Sequence, residues 1–230
     1  MGIKNTLKYM YNNIFNQIKV IMVKGIKTNL NNHKSYEHYL TYQQVKTKDP
    51  QRIKKWLDDE WKMKYDGFMN IFNRNYKYLQ NKNNALCLGA RTGQEVKALI
   101  DLGIKAIGID LVEFLPYTIK GDIHNLKYKE SEFDLVFTNI MDHALYPDKF
   151  CKEIQRICKN DGIIIIHLKL GDDLDEFSET SIYYPQSIIQ YFNEMIYYIL
   201  LDNVYNAMDT IDDIWDENIL GEESFGTFYT

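Results

Sequence analysis

The stretch Leu86-Cys87-Leu88-Gly89-Ala90-Arg91-Thr92-Gly93-Gln94-Glu95-Val96 decides the fold. An apolar run at 85–88 meets a glycine, turns, and after a second glycine gives way to helical periodicity. A strand that feeds a helix through a tight turn points backbone N–H groups and a helix N-terminus at one spot. Such a spot favours a carboxylate or a phosphate. Glycine is common in strand–helix turns, so the turn by itself names no ligand.

The same alternation continues outward. Residues 92–102 place Val96, Leu99 and Ile100 on one helical face, with Gly103 as the stop. Residues 105–110 and 133–138 read as strands. Residues 147–159 read as a helix showing Phe150, Ile154 and Ile157, closed by Asn160-Asp161-Gly162. The run 163–168 is continuously apolar and β-branched, as a parallel strand covered on both faces requires. Together these predict a doubly wound α/β sheet with a ligand crevice at its carboxyl edge. Further on, 187–192 reads as a helix and 195–201 and 224–229 as strands.

Upstream, Asp49-Pro50 is an N-cap followed by proline at the first helical position. It opens a helical stretch carrying Ile53, Trp56, Leu57, Trp61, Phe68, Ile71 and Phe72. Before it, Tyr36, Tyr39, Tyr42 and Gln43 recur at helical spacing, either as simple packing or as a cap over a bound ligand. The first 30 residues read as an amphipathic helix built on Leu7, Met10, Tyr11, Ile14, Phe15, Ile18, Ile21 and Met22. The expected division is a helical extension or cap over 1–80 and a ligand-binding domain over 81–230.

The chain has 230 residues and a mass of 27.3 kDa, enough for one large domain with an appendage. Its 45% hydrophobic content excludes wholesale disorder. No run approaches the roughly 18 apolar residues that a membrane-spanning helix needs. Cys87, Cys151 and Cys158 lack CxxC spacing, which argues against a disulfide scaffold or a thiolate zinc site. A reducing, cytoplasmic location is the expectation.

The formal net charge of -5 hides a gradient. Residues 1–56 hold 11 Lys/Arg against Glu37 and Asp49, while 172–230 hold 14 Asp/Glu and no Lys/Arg. The two ends are expected to attract each other, within one chain or between subunits of a homo-oligomer. A basic arm for nucleic acid or anionic lipid is the alternative. Met1-Gly2-Ile3-Lys4-Asn5-Thr6 fits the loose N-myristoylation pattern, so the first helix is also a candidate peripheral membrane contact.

Asp110 narrows the ligand. It ends the second strand of the unit, 21 residues after Gly89, where a carboxylate can accept hydrogen bonds from both hydroxyls of a ribose. NAD and S-adenosylmethionine share that ribose. The dinucleotide fingerprint needs further glycines where Arg91 and Gln94 stand, so a pyrophosphate would meet side chains instead of bare backbone. S-adenosylmethionine brings no phosphate, and a looser turn suffices. Downstream, Gly121-Asp122-Ile123-His124-Asn125-Leu126 sets an acid where it can take a hydrogen bond from an adenine amino group, with Ile123 to lie against the base. The strand ending near Asn139 then leads to Asp142-His143-Ala144-Leu145-Tyr146-Pro147.

In order and spacing, residues 84 to about 168 resemble the class I S-adenosylmethionine-dependent methyltransferases, in particular the methyltransferase domain 11 type. The resemblance implies a mostly parallel, seven-stranded Rossmann-like sheet, with one antiparallel strand near its edge and an N-terminal helical extension. It implies S-adenosylmethionine as cofactor. By position, Gly89, Ala90, Arg91 and Gly93 would face the methionine moiety. Asp110 and Leu111 would hold the ribose, Asp122 and Ile123 the adenine, and Asn139 with Ile140 the methyl-donor site. Three departures stand out. Cys87 replaces an acid, Arg91 replaces a middle glycine, and only ten residues separate Asp110 from Gly121, too few for the usual helix. The C-terminal third, where acceptor specificity normally resides, matches only vaguely.

Methyl transfer from a sulfonium is an in-line displacement, and a base is needed only for a hydroxyl or a protonated amine. His143 is the best-placed candidate, since imidazole titrates near neutral pH, although its segment can equally cap the helix at 147. His124 and Asp142 trail it. No metal is expected, because Asp142, His143 and His167 lack any recognised ligand spacing. The expected acceptor is a small molecule such as a sugar, an amine or a metabolite hydroxyl. Tyr36, Tyr39, Tyr183 and Tyr184 are candidates to stack on a sugar ring or simply to pack. RNA is an alternative acceptor that the basic N-terminal segment permits. The Lys-Asp-Lys-Glu set of ribose-methylating enzymes is not evident around Asn139, so nucleic acid is not the expected partner. A methyltransferase-like binding protein without turnover is the third reading.

Overall fold

The computed structural model describes residues 25–192, 196–201 and 224–229. The helix expected before residue 25 and the N-myristoylation pattern lie outside the described residues. Residues 26–28, expected as the tail of that helix, instead form strand β1 (Ile26–Thr28). The reason is a partner far along the chain: β1 pairs antiparallel with β7 (Thr180–Ile182) in a small two-stranded sheet.

Helix α1 (Tyr36–Lys48) starts at Ser35, whose hydroxyl accepts from the His38 amide. The Asp49-Pro50 signal holds: Asp49 caps α2 (Pro50–Lys54) by accepting from the Gln51 amide at 2.8 Å. The expected long helix is interrupted, however. A π-helical turn (Lys55–Asp59) follows α2, and α3 (Trp61–Arg74) begins after Glu60. The wider turn brings Trp56 inward, where it is buried. A short α4 (Tyr76–Leu79) leads into the sheet.

The α/β unit then runs β2 (Asn84–Leu88), α5 (Gln94–Asp101), β3 (Lys105–Asp110), β4 (Thr118–Lys120), β5 (Phe133–Thr138), α6 (Pro147–Ile157) and β6 (Cys158–Leu168). After β7 come α7 (Gln186–Ile189), β8 (Ile196–Leu201) and β9 (Ser224–Tyr229). Spatial order in the main sheet is β4-β3-β2-β5-β6-β9-β8. Every pairing from β4 to β6 is parallel, and β9 runs antiparallel between β6 and β8. This is the expected mixed α/β, mostly parallel sheet with flanking helices.

The central stretches of β2, β5 and β6 are apolar and buried because both faces are covered. Leu86, Leu88, Val136, Ile164 and Ile166 join one core with Phe150, Ile154 and Ile157 of α6. Their neighbours Ala85, Cys87, Leu135, Phe137, Ile163 and Ile165 join the other, with Phe68 and Phe72 of α3 and Val96 and Leu99 of α5. The period-two alternation of strand side chains therefore divides one continuous run between two layers.

Three boundaries depart from expectation. Gly93, at φ +87°, caps α5, so the helix starts two residues late. The segment Asn160-Asp161-Gly162 does not close α6 but lies inside β6. Phe133 pairs with Cys158 and Leu135 with Ile163, so the strand absorbs the extra residues as a bulge. The helix expected over 187–192 shrinks to α7. Between β3 and β4 there is only a turn, bridged by Phe114 and Thr118, as the ten-residue spacing requires. No helix among the described residues is long and apolar enough to cross a membrane.

Candidate active site

The turn between β2 and α5 passes close under the neighbouring strand. Gly89 adopts φ +75°, and a Cβ there would lie 2.3 Å from the Ile140 side chain. Its amide and that of Ala90 both donate to the Ile109 carbonyl, at 2.9 and 3.0 Å. Arg91 keeps the left-handed backbone (φ +47°) that glycine would adopt freely. Two contacts offset that strain. The Arg91 amide donates to Asp110 Oδ2 at 3.1 Å, and its guanidinium stacks 4.4 Å from the centre of the Trp56 ring. Arg91 therefore ties the turn to the segment ahead of α3, a use for the side chain that the family pattern does not contain.

Asp110 ends β3 half-buried at the mouth of the crevice. Burial pushes its carboxyl above the ordinary range, and the Arg91 charge with backbone amides opposes that push. It accepts from the Arg91 amide and, at 3.3 Å, from the Val112 amide. A carboxylate has about four acceptor sites, so capacity remains for hydroxyl donors.

Asp122 is in a different state. The Tyr36 hydroxyl, from α1, lies 2.7 Å from both of its carboxylate oxygens, and the His124 amide donates at 2.8 Å. Burial disfavours its charge, but the hydrogen bonds from His124 and Tyr36 outweigh burial and hold it below the usual carboxylate range. His124 is itself a buried link. Its Nε2 accepts from the Tyr146 amide at 3.2 Å, which assigns the proton to Nδ1, 3.0 Å from the Tyr36 hydroxyl. His124 is a satisfied core histidine.

Between these groups lies a cavity of about 60 Å³. The structure brings Gly89, Arg91, Asp110 and Leu111 to its wall. Asp122, Ile123, Ile140 and His143 complete that side. Three expected residues lie outside it. Ala90 is buried in the core layer of Val96 and Leu99, as a spacer against Gly108. Gly93 serves as the helix cap against Tyr117. Asn139 is half-buried just past β5, and its neighbour Ile140 supplies the wall instead. The opposite wall comes from α1, through Tyr39, Leu40, Gln43, Lys46 and Thr47. Sequence reading left the aromatic and amide members of that helix as either packing or a cap and missed Lys46, one turn further along the same face.

His143 sits in a 3₁₀ turn (Met141–His143) after β5. Its Nδ1 lies 3.0 Å from the Phe177 carbonyl, which can only accept, so Nδ1 carries the proton and Nε2 the lone pair. Nε2 is 3.4 Å from Lys46 Nζ and 3.6 Å from Asp142 Oδ2. Lys46 also forms an ion pair with Asp175. Burial lowers the Lys46 ammonium pKa, helped by Arg91 and opposed by Asp175. Tyr183 and Tyr184, expected as ring-stacking candidates, are absent from the cavity wall. Among the described residues no group of three or more His, Cys, Asp or Glu is arranged to hold a metal ion.

Residues 86–166 match the family model described as a methyltransferase domain. The chain carries a methyltransferase domain. Solved structures carry the same fold. A 1,6-didemethyltoxoflavin-N1-methyltransferase of Burkholderia thailandensis, with 1,6-didemethyltoxoflavin and S-adenosylhomocysteine bound, superposes with TM-score 0.61 at 12% identity, covering 88% of this chain and 93% of that one. An S-adenosylmethionine-dependent methyltransferase of Thermotoga maritima gives 0.57 at 16% identity, over 81% and 97%. One from Archaeoglobus fulgidus gives 0.55 at 14% identity, over 78% and 99%. No curated protein matches the chain in sequence. The methyltransferase domain thus spans the strand–turn–helix unit from β2 to β6, and α1 to α3 are what this chain sets before it. Cys87 is fully buried inside the domain, with burial pushing its thiol far up, so it acts as an apolar packing group.

Proposed function

We propose that this protein is an S-adenosylmethionine-dependent methyltransferase acting on a small-molecule acceptor, with α1 as the lid over the donor. The observation that carries the reading is Asp110, a carboxylate with unused acceptor capacity at the end of β3, facing a cavity beside the Gly89 turn. Those residues fit a nucleoside whose ribose they would hold. Leu111 flanks the same edge, and Ile123 and Asp122 offer an apolar face and an acceptor to the base.

When bound, S-adenosylmethionine supplies a methyl group on a sulfonium, whose loss leaves a neutral thioether. The chain's own residues bind, orient and dry the site. Asp110 fixes the donor's sugar, and the Gly89 turn admits close approach. Ile140 closes the floor past β5.

The cavity is bounded on one side by α1, so lifting of this helix would widen it for binding and its return would close it afterwards. Closure would exclude water from the reacting groups. The contacts holding α1 suit such movement. Gln43 donates to the Phe177 carbonyl at 2.6 Å, Tyr42 to Glu176 and Tyr39 to the His143 carbonyl. Each such bond contributes about 1 kcal/mol net, and water replaces it readily.

Calorimetric titration with S-adenosylhomocysteine tests the reading. Saturable binding at one site is expected, with loss of amide exchange in α1 on binding. Absence of binding would overturn it.

A further inference from the structure

We propose that the acceptor is an acidic hydroxyl, phenolic or enolic, which gives its proton to His143 and is held as its oxyanion by Lys46. This rests on the methyltransferase reading and names its substrate class.

The argument starts at His143. The Phe177 carbonyl fixes the neutral tautomer with its lone pair on Nε2, the nitrogen next to Lys46, and both residues line the cavity. Beside it stands a cation: Lys46 Nζ, 3.4 Å away, on a side chain only 9% exposed. A second cation, Arg91, lines the same cavity. A protonated amine set against Nε2 would bring its charge beside the Lys46 ammonium, whereas a neutral hydroxyl brings none, and the proton it gives up leaves a compensating negative charge on oxygen. A carbon acceptor without an ionising hydroxyl would leave both groups unused. A hydroxyl gains from both, because Nε2 takes its proton and the charge left on oxygen develops next to a pre-positioned ammonium.

The cavity also offers apolar surface from Tyr39, Leu40, Ile123 and Ile140, and buried Phe177 lies 5.3 Å from Lys46 Nζ. Asp175 and Asp142 are the acids facing the pair. Asp175 holds the ammonium in place, and Asp142 accepts from Ser178 at 2.9 Å. The step balances. The O–H bond breaks with its proton on Nε2, and the oxygen pair forms the O–C bond. The C–S bond breaks with its pair on sulfur, leaving a methyl ether, a neutral thioether and imidazolium.

The probe is 4-nitrophenol, whose phenolate absorbs in the visible. It is titrated near its own midpoint pH into the protein alone and into protein saturated with S-adenosylhomocysteine. Bound probe is expected to show a phenolate-to-phenol ratio raised about tenfold over solution. Lys46→Met should return the ratio to the solution value, while Lys46→Arg, which keeps the charge, should retain most of the rise. Thermal unfolding of both variants reports that they fold. An unchanged ratio in the wild type, no probe bound, or a full rise in folded Lys46→Met would overturn the proposal. With S-adenosylmethionine present, methylation of small phenols in preference to the matching anilines and benzylamines is expected, and the reverse order would also overturn it. Failure to bind S-adenosylhomocysteine would instead sink the donor reading, and the titration of the protein alone would still decide the role of Lys46.

Discussion

Helix α6 lies against the sheet and α1 against the loops around the cavity, and they are held there by different means. α6 packs Phe150, Cys151, Ile154 and Ile157, each 0% exposed, into the main core. α1 buries Tyr39, Gln43, Lys46 and Thr47, and its ties to the body are hydrogen bonds, one ion pair and ring contacts such as Tyr39 with His124 and Tyr42 with Phe177. Apolar burial is lost only when water reaches the surface, whereas a polar contact is exchanged with water at little net cost. The molecule thus has a floor held by apolar burial and a cover held largely by polar contacts. This difference follows from which side chains each helix turns inward.

Breaking the floor should produce the largest effect. Phe150→Ala removes a fully buried ring and is expected to cost about 3–5 kcal/mol of stability in urea unfolding. Gln43→Ala, on the cover, should cost about 1 kcal/mol and act chiefly by speeding amide exchange within α1. Equal losses from the two substitutions would erase the distinction between floor and cover.

A buried acid sharpens the picture of the floor. Glu95, in the first turn of α5, is 3% exposed, and burial pushes its carboxyl from about 4.5 up to about 8, against the pull of the Arg91 charge. Between those values the folded protein holds a proton that the unfolded chain has released. Stability therefore falls as pH rises through that window, by a few kcal/mol at most. Lys64 works the other way at higher pH. Burial and the Arg91 charge lower it from 10.5 to about 8, so its unfolded form binds the extra proton and stability recovers across that range. Glu95→Gln should flatten the falling limb and be more stable than the wild type near pH 8, read from urea midpoints across pH. A falling limb kept in Glu95→Gln would assign it to another group.

Much of the floor was legible in the sequence because it is written in local periodicity. The run 133–138 became β5 without a shift, and Phe150, Ile154 and Ile157 announced α6 by their spacing. Asp110 was legible as well, since its position at a strand end fixes where its carboxylate emerges. The cover was not. α1 has no apolar stripe, and its inward face makes sense only against groups far along the chain. Lys46 meets Asp175 across 129 residues, and Tyr36 meets Asp122 across 86. No pattern within either segment pairs them. The π-helical turn and the bulge in β6 were hidden for a related reason, because both are local adjustments to the packing of neighbours. Arg91 was read as a defect in a glycine turn, and only its stacking on Trp56 shows what the side chain does.

The two carboxylates of the crevice carry the same contrast into binding. Asp110 belongs to the floor and has acceptor capacity to offer. Asp110→Ala is expected to weaken S-adenosylhomocysteine binding by about 1.5–3 kcal/mol in calorimetry, the usual worth of hydrogen bonds to a charged group. Unchanged affinity would remove its assignment to the ribose.

Asp122 is already engaged by the cover, and this predicts an effect of opposite sign. For the base to reach Asp122, the Tyr36 hydroxyl must share or surrender its place 2.7 Å from both oxygens. Tyr36→Phe deletes that competitor and keeps the ring, which lies roughly parallel to Tyr146 at 5.9 Å. Phenylalanine fills the same space, so the packing of α1 changes little. The substitution also frees His124 Nδ1 to seek water or Asp122, 3.6 Å from it, so no buried donor is stranded. Binding of S-adenosylhomocysteine should therefore tighten by about 0.5–1 kcal/mol, the net worth of one exchanged hydrogen bond. Amide exchange in α1 of the free protein should quicken at the same time. Weaker binding in Tyr36→Phe would mean that the hydroxyl serves the ligand rather than the lid, and α1 would then be part of the floor.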